Sequence, residues 1–355
     1  MVLQSLWYLI CCLILVQLTL VTAFPRNELI SKGYKIGIAP SHVTESPNHL
    51  LKNTKSWSSV AGQINIYKYY GVQVAGVDWA TPVNPKLLVD FAGNEKVALG
   101  CEFGDFHLSP NMAERIVQTA FQQLDPILQN GGMVDSLHLD GPIRRMLKGY
   151  QTHPDALSLE EIAAFMVKFW KQMKRKYPKI KIGLITNLPN WDYTKNLVGY
   201  NGHFTDKSGI YFLEALERVN RALISSGEQM AFLEVDCPFN YYRETRTRNK
   251  DAKVDNPAKL SHLQKWCKEN EIQFNLVVNA EPRKEGAVGF YELTCKYLEH
   301  LEKDKIHPDT FFFQSWYKEP FAHLPENKKY TFMNTAKDAI ALLVELYPRK
   351  SKASK

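Results

Sequence analysis

The chain has 355 residues, 45% hydrophobic and 23% charged, with a formal net charge of +7. This composition supports a sizeable core and excludes a disordered or collagen-like chain. Part of the excess charge sits in the tail "PRKSKASK" (348–355) without interleaved aromatics, so no nucleic-acid partner is expected.

The N-terminal run "LWYLICCLILVQLTLVTA" (6–23) is apolar, and Val21 and Ala23 satisfy the small-residue rule for cleavage before Phe24. Residues 1–23 are read as a signal peptide. The run is also long enough for a membrane anchor, and no Lys or Arg precedes it. A secreted or periplasmic protein follows, free of the membrane after cleavage. Outside the leader only Cys101, Cys237, Cys267 and Cys295 remain. They form neither a disulfide scaffold nor a Cys/His metal spacing. Cys267 and Cys295, on consecutive predicted helices, are either a disulfide or two free thiols.

From residue 34 onward, strand-like runs alternate with amphipathic helical stretches. "YKIGIAPS" (34–41) precedes a helix near 57–70, "VQVAGVDWA" (72–80) one over 84–94, and "KVALGCEFG" (96–104) one over 110–130. Then come "VDSLHLDGP" (134–142) with 158–177, "KIKIGLITN" (179–187) with 208–227, and "MAFLEVDCP" (230–238) with 256–271. "QFNLVVNAEP" (273–282) with 287–303 and "DTFFFQSW" (309–316) with 332–346 complete the series. Such alternation implies parallel pairing through right-handed crossovers. Eight units match a single (β/α)8 TIM barrel, here placed over 24–347. No Gly-x-Gly-x-x-Gly turn follows the first strand, which disfavours a dinucleotide-binding open sheet. Ser158 and Glu161 read as a capping box, and Ile162, Phe165, Met166 and Phe169 as the buried face of that helix.

Two runs, "LHLDGP" (137–142) and "LEVDCP" (233–238), each end a strand on an aspartate and stop it with a proline. The predicted strand ends carry Asp78 and Trp79, Glu102, His138 and Asp140, Asn187, Glu234 and Asp236, Asn279 and Glu281, Gln314 and Trp316. Alternation puts His138 with Asp140, Glu234 with Asp236, and Asn279 with Glu281 on the face that points into the barrel mouth. Asp105, by contrast, reads as the cap of the following helix.

A Schiff-base aldolase needs a strand-end lysine, and the predicted strands place lysine only at their starts, at Lys35 and Lys181. Histidine-rich metal hydrolysis lacks its ligands, and neither metal nor cofactor is expected. Carboxylates among aromatics (Trp79, Trp191, Trp316, Tyr241, Tyr242) suit carbohydrate chemistry, in which one acid protonates the leaving oxygen and a second carboxylate is nucleophile or base. Asp140 is read as nucleophile or transition-state stabiliser and Asp236 as general acid/base, with Glu281 the rival for either role. Asp78, Trp79, Glu102, His138, Asn187, Glu234, Asn279, Gln314 and Trp316 are read as substrate-binding.

The frame over 34–347 resembles the glycosidase-type (β/α)8 barrels, with carboxylates on strands 4, 6 and 7 and a tryptophan closing strand 8. "DSLHLDGP" (135–142) can be laid over the chitinase-type Asp-x-x-Asp-x-Asp-x-Glu pattern. Asp135 and Asp140 match, whereas His138 replaces an aspartate and Pro142 the proton-donating glutamate. Glu281 matches the strand-7 nucleophile position of retaining β-glycosidases, whose strand-4 Asn-Glu pair is missing. Asp140 and Asp236 are similar in position and type to the α-galactosidase pair. The resemblance implies a glycoside hydrolase acting on a carbohydrate substrate. The alternatives are a non-catalytic carbohydrate-binding barrel that has lost its acid, and a metal-assisted hydrolase or lyase with Glu102, Asp140 and Asp236 as oxygen ligands.

Overall fold

The computed structural model describes residues 29, 31–109, 111–148, 153–190, 192–193, 210–243 and 255–347. The leader, Trp191 and the basic tail lie outside the described residues. Eight parallel strands pair in chain order and close on themselves: β1 (Lys35–Ala39), β2 (Ile66–Tyr70), β3 (Ala98–Phe103), β4 (Ser136–Asp140), β5 (Lys181–Asn187), β6 (Phe232–Asp236), β7 (Gln273–Val278) and β8 (Thr310–Gln314). β8 pairs back onto β1, with Lys35 opposite Thr310. The principal crossover helices are α1 (Pro47–Lys52), α2 (Pro85–Glu95), α3 (Met112–Gln129), α4 (Leu159–Lys176), α5 (Phe212–Ser225), α6 (Asn256–Glu269), α7 (Gly286–Lys303) and α8 (Phe332–Leu346). The (β/α)8 barrel expected from the sequence is therefore the fold. Among the described residues, no helix is long and apolar enough to cross a membrane.

Local chemistry sets the helix starts. Ser158 and Glu161 form the capping box of α4, satisfying orphan amides at its N-terminus. Asn84 and Asp255 cap α2 and α6, each followed within two residues by the proline that suits a first turn. Ile162, Phe165, Met166 and Phe169 are all buried, and their row packs α4 against the sheet. Each such side chain removed from water contributes roughly 1.5–3 kcal/mol. Cys101, Cys237, Cys267 and Cys295 are all free thiols.

The outward strand residues, such as Ile38, Leu99, Leu139, Leu233 and Phe313, join the helices in one apolar core. Inward residues form a second, mainly polar one. Following the register once around the barrel shifts the strand by eight residues, so side chains at one height come from alternate strands. Ile66, Ser136, Phe232 and Thr310 form the floor. Above them come Gly37, Gly100, Gly183 and Asn275, then Lys68, His138, Glu234 and Phe312. Ala39, Glu102, Ile185 and Val277 follow, and then Tyr70, Asp140, Asp236 and Gln314. Three glycines share one layer because rings from the layers above and below fill their space. A Cβ on Gly37 would lie 2.2 Å from the Phe312 ring, and one on Gly183 2.3 Å from the Phe232 carbonyl oxygen.

Two sequence expectations are corrected. The second strand is Ile66–Tyr70, not 72–80, and it occupies the end of the stretch assigned to a helix at 57–70. The segment "IYKYY" carries aromatic and β-branched side chains that fit a pleated surface. After it the chain turns through Gly71–Val74 and a left-handed Gly76, φ 70°. Asp78 and Trp79 therefore stand on the loop beyond β2 rather than at its end. Asp105 caps no helix, since α3 begins after Asn111; its carboxylate accepts a 2.6 Å hydrogen bond from Gln123 Nε2.

Gly183→Ala should destabilise the barrel by about 1–3 kcal/mol through overpacking against backbone. Gly93→Ala, in an open part of α2, should stabilise it by about 0.5–1 kcal/mol. Urea unfolding of both variants beside the parent checks the pair.

Candidate active site

The barrel interior is organised around a lysine. Lys68, buried on β2, donates to Glu234 Oε1 at 2.5 Å and to Glu102 Oε2 at 2.8 Å. Glu234 Oε2 in turn accepts from His138 Nδ1 at 2.7 Å, and His138 Nε2 lies 2.9 Å from Ser136 Oγ. On the other side Gln314 Nε2 donates to Glu102 Oε2 at 2.9 Å and to the Tyr70 hydroxyl at 3.1 Å. One connected network thus runs from the floor to the mouth.

Its protonation follows from geometry. Burial opposes the charge on Lys68, but the two carboxylates outweigh it and raise the ammonium above its usual range. Burial also disfavours the charged Glu234, yet Lys68 and His138 hold its carboxyl down at about 2. Burial lowers His138, against the pull of Glu234, so the ring is neutral at pH 7. With Nδ1–H given to Glu234, Nε2 accepts from Ser136.

Asp140 and Asp236 share the layer of Tyr70 and Gln314, two above that of Lys68, on strands separated only by β5. Burial pushes Asp140 up to about 6 while Arg145, which binds Oδ2, restrains the rise. Burial pushes Asp236 up to about 8; the 2.7 Å bond from Asn187 Nδ2 to Oδ2 opposes this, and the charges of Asp140 and Glu102 add to it. The difference follows the partners: Asp140 faces the Arg145 guanidinium, whereas Asp236 is bound by the neutral Asn187 amide. Both Asp-x-Pro runs now have a structural reason. Gly141 takes φ 59° and Pro142 opens the turn Pro142–Met146, which returns Arg145 to Asp140. Pro238 closes the strand bearing Asp236, and its carbonyl accepts from Tyr241 and Tyr242 in the turn Phe239–Arg243.

The remaining sequence candidates divide by place. Asn187, Asn279 and Gln314 stand at the mouth beside Asp236, and Asn279 and Gln314 are fully buried. Glu102 lies one layer lower, bound to Lys68 and Gln314. His138 and Glu234 are 1% and 0% exposed, beneath the aspartates, where they hold charge in place. Glu281 stands three residues beyond β7, with its backbone N–H on Asn240 Oδ1 at 2.8 Å. Asp78 is exposed, Trp79 is 61% exposed, and Trp316 is half-buried. Tyr242 is no stacking platform, being buried against Tyr297 with its hydroxyl donated to Asp304 at 2.6 Å.

Sequence reasoning missed Lys68, Tyr70 and Arg145. Lys68 also corrects the statement that barrel lysines occur only at strand starts. It is nonetheless no Schiff-base nucleophile while two carboxylates hold its proton. The metal-ligand reading of Glu102, Asp140 and Asp236 meets the same obstacle, since Lys68 is already the cation facing Glu102. Among the described residues, no cluster of three or more His, Cys, Asp or Glu side chains is placed to hold a metal ion.

No family model and no curated protein matches the chain. Solved structures do match its fold. One is a GH5_18 protein from Streptomyces cattleya in complex with Manβ1-4GlcNAc (13% identity, TM-score 0.53, 91% of this chain and 83% of that one). Another is the catalytic domain of a β-amylase from Paenibacillus polymyxa (8% identity, TM-score 0.52, 91% and 99%). A sugar phosphate isomerase/epimerase from Parabacteroides distasonis is less similar (10% identity, TM-score 0.46, 90% and 96%). At such identities the likeness establishes the barrel and nothing finer.

Lys68→Met should cost about 3–5 kcal/mol at pH 7.5, because it strands two buried carboxylates. Glu234, depressed to about 2 when folded, contributes stability above its unfolded pKa of about 4.3 and loses it as pH falls toward 2. The gap between variant and parent should therefore narrow on acidification, which urea unfolding at pH 7.5 and pH 4 would measure.

Proposed function

We propose that the chain is a glycoside hydrolase in which Asp236 is the general acid/base and Asp140 the nucleophile or transition-state stabiliser. The observation that carries this reading is the Asp140–Asp236 pair: one layer of the mouth, with carboxyls held at about 6 and about 8. Between those values Asp140 is ionised and Asp236 keeps its proton, the division of labour that glycosidic cleavage requires. Asp236 Oδ1 is buried and has no hydrogen-bond partner among the described residues, so its proton is not committed to another side chain.

In this reaction Asp236 passes its proton to the glycosidic oxygen as the bond to the anomeric carbon breaks. Asp140, oriented by Arg145, offers its negative charge to that carbon as positive charge develops. The Asp236 carboxylate then takes a proton from the water that completes hydrolysis, which restores both groups. Asn187 fixes the Asp236 carboxyl through Oδ2. The Lys68 network beneath supplies a rigid, charge-balanced support. Glu281, beyond the strand end, is the less favoured acid. The reading carries with it the secreted or periplasmic setting expected from the leader.

Reducing-end release from a broad glycan panel tests the proposal. Turnover should rise through pH 6 as Asp140 ionises and fall through pH 8 as Asp236 loses its proton. Asp140→Asn and Asp236→Asn should each lower kcat by about 10²–10⁴-fold with folding intact. Turnover indifferent to both substitutions would overturn the assignment.

A further inference from the structure

On the outer wall of the barrel, α3 and α4 enclose a groove of about 280 Å³ that shares no residue with the site at the mouth. Ala113, Val117 and Phe121 recur at every fourth residue of α3 and line one side, and Phe165, Phe169 and Gln172 of α4 line the other. The space exists because Ala113 and Val117 are small where α4 presents two phenyl rings. The floor is held from behind: Phe169 stacks at 6.2 Å on Phe103 and lies 6.3 Å from Phe106, and Phe165 lies 6.1 Å from Phe169. The lining reaches solvent, since Ala113, Phe121 and Gln172 are half-buried and Gln118, Lys168 and Arg175 exposed.

The second half of α4, "KFWKQMKRK" (168–176), carries Lys168, Lys171, Lys174, Arg175 and Lys176 and no acidic residue. Lys174 pairs with Glu228 at 3.5 Å and Lys176 with Asp125 at 2.7 Å. Among the described residues, Lys168, Lys171 and Arg175 have no ion pair. The helix dipole accounts for cations in the last turn of α4, but not for Lys168 and Lys171 in its middle. Lys168 and Arg175 stand on the rim of the groove seven residues apart, about 10 Å along the axis. Neighbouring crossover helices run parallel, so Glu114 in the first turn of α3 and Arg175 in the last turn of α4 mark opposite ends of the groove. Asp125, at the Arg175 end, is already bound by Lys176 and the Tyr177 hydroxyl. Positive charge at that end is therefore in excess.

A folded partner needs roughly 800 Å² a side, far more than so short a groove offers. The volume lies just under the roughly 300–1,000 Å³ of small-molecule pockets. The chain's own ends lack the matching charge, since 1–27 and 348–355 contain no Asp or Glu. We propose that the α3–α4 groove binds a small amphiphilic anion, a carboxylate on an unbranched apolar chain, with the carboxylate on Arg175 and the chain along Phe121, Val117 and Ala113. The guanidinium offers a carboxylate two parallel donors, and the Gln118 and Gln172 amides line the walls beside it. From Phe121 to Ala113 the trough runs about 12 Å at helical rise, a shape that suits a straight chain. The site stands independently of the hydrolase reading.

Isothermal titration of the full chain, with each probe below its critical micelle concentration, tests the site. Octanoate should bind saturably at one per chain, about tenfold tighter than butyrate, which lacks most of the tail. Arg175→Gln should weaken octanoate about fivefold and leave octanol unchanged. Ala113→Leu, which fills the tail end, should weaken octanoate and octanol alike and spare butyrate. Lys168→Gln, at the Glu114 end, should change octanoate binding less than about twofold. All three substitutions lie on helix surfaces, and circular dichroism confirms that the variants fold. Octyltrimethylammonium bound as tightly as octanoate, uptake of many octanoates without saturation, affinity indifferent to Arg175→Gln and Ala113→Leu, or no binding would overturn the proposal. Binding to phosphatidylglycerol vesicles without binding of octanoate would overturn it too, in favour of a membrane-facing basic patch.

Discussion

An ammonium group held between two carboxylates inside a closed barrel is the constraint on which the rest of this structure depends. Lys68, Glu102 and Glu234 come from β2, β3 and β6, and each is worth burying only because the others are there. Their mutual attraction lets a (β/α)8 barrel carry a polar interior where branched apolar side chains are common. It also fixes the level above. The residual negative charge of the network adds to burial in raising Asp236, while Lys68 offsets part of the rise at both aspartates. The candidate chemistry is thus set jointly by the two aspartates and by the lysine layer beneath them.

The glycine layer is the steric counterpart of that charge arrangement. Gly37, Gly100 and Gly183 yield their volume to Phe312, His138 and Phe232, so the lower barrel is filled by rings that close it from below. The imidazole of His138 packs over Gly100, where an added Cβ would lie 3.0 Å from Nε2, and its placement there brings Nδ1 onto Glu234. Packing and electrostatics are therefore the same residues seen in two ways.

Much of this was legible in the sequence for physical reasons that are easy to name. Strands 3 to 8 are buried on both faces and read as apolar runs, and helices such as α4 and α8 show helical spacing between clear caps. Period-two alternation then placed Asp140, Asp236 and Asn279 in the mouth, and the end of strand 8 placed Gln314 there, without any coordinates. Strand 2 escaped because "VQVAGVDWA" is more apolar than "IYKYY", although the latter is the strand. That one frame error hid Lys68, since a lysine assigned to a helix near 57–70 reads as a solvated side chain. The pairing of Glu102 with Glu234 through a lysine 34 residues before one and 166 before the other has no local signature at all. Nor does the return of Arg145 onto Asp140, which depends on a left-handed Gly141.

The register of the ion triad also bears on how such a barrel assembles. Lys68 and Glu102 lie in the first four strands, Glu234 in the last four. A C-terminal half formed alone holds a buried glutamate with neither its lysine nor its histidine. The N-terminal half holds a lysine facing one carboxylate instead of two. Each half is therefore electrostatically unfinished until the seam between them closes. This barrel is poorly suited to being split into autonomous halves, and its central charges favour all-or-none closure over stepwise addition of finished modules.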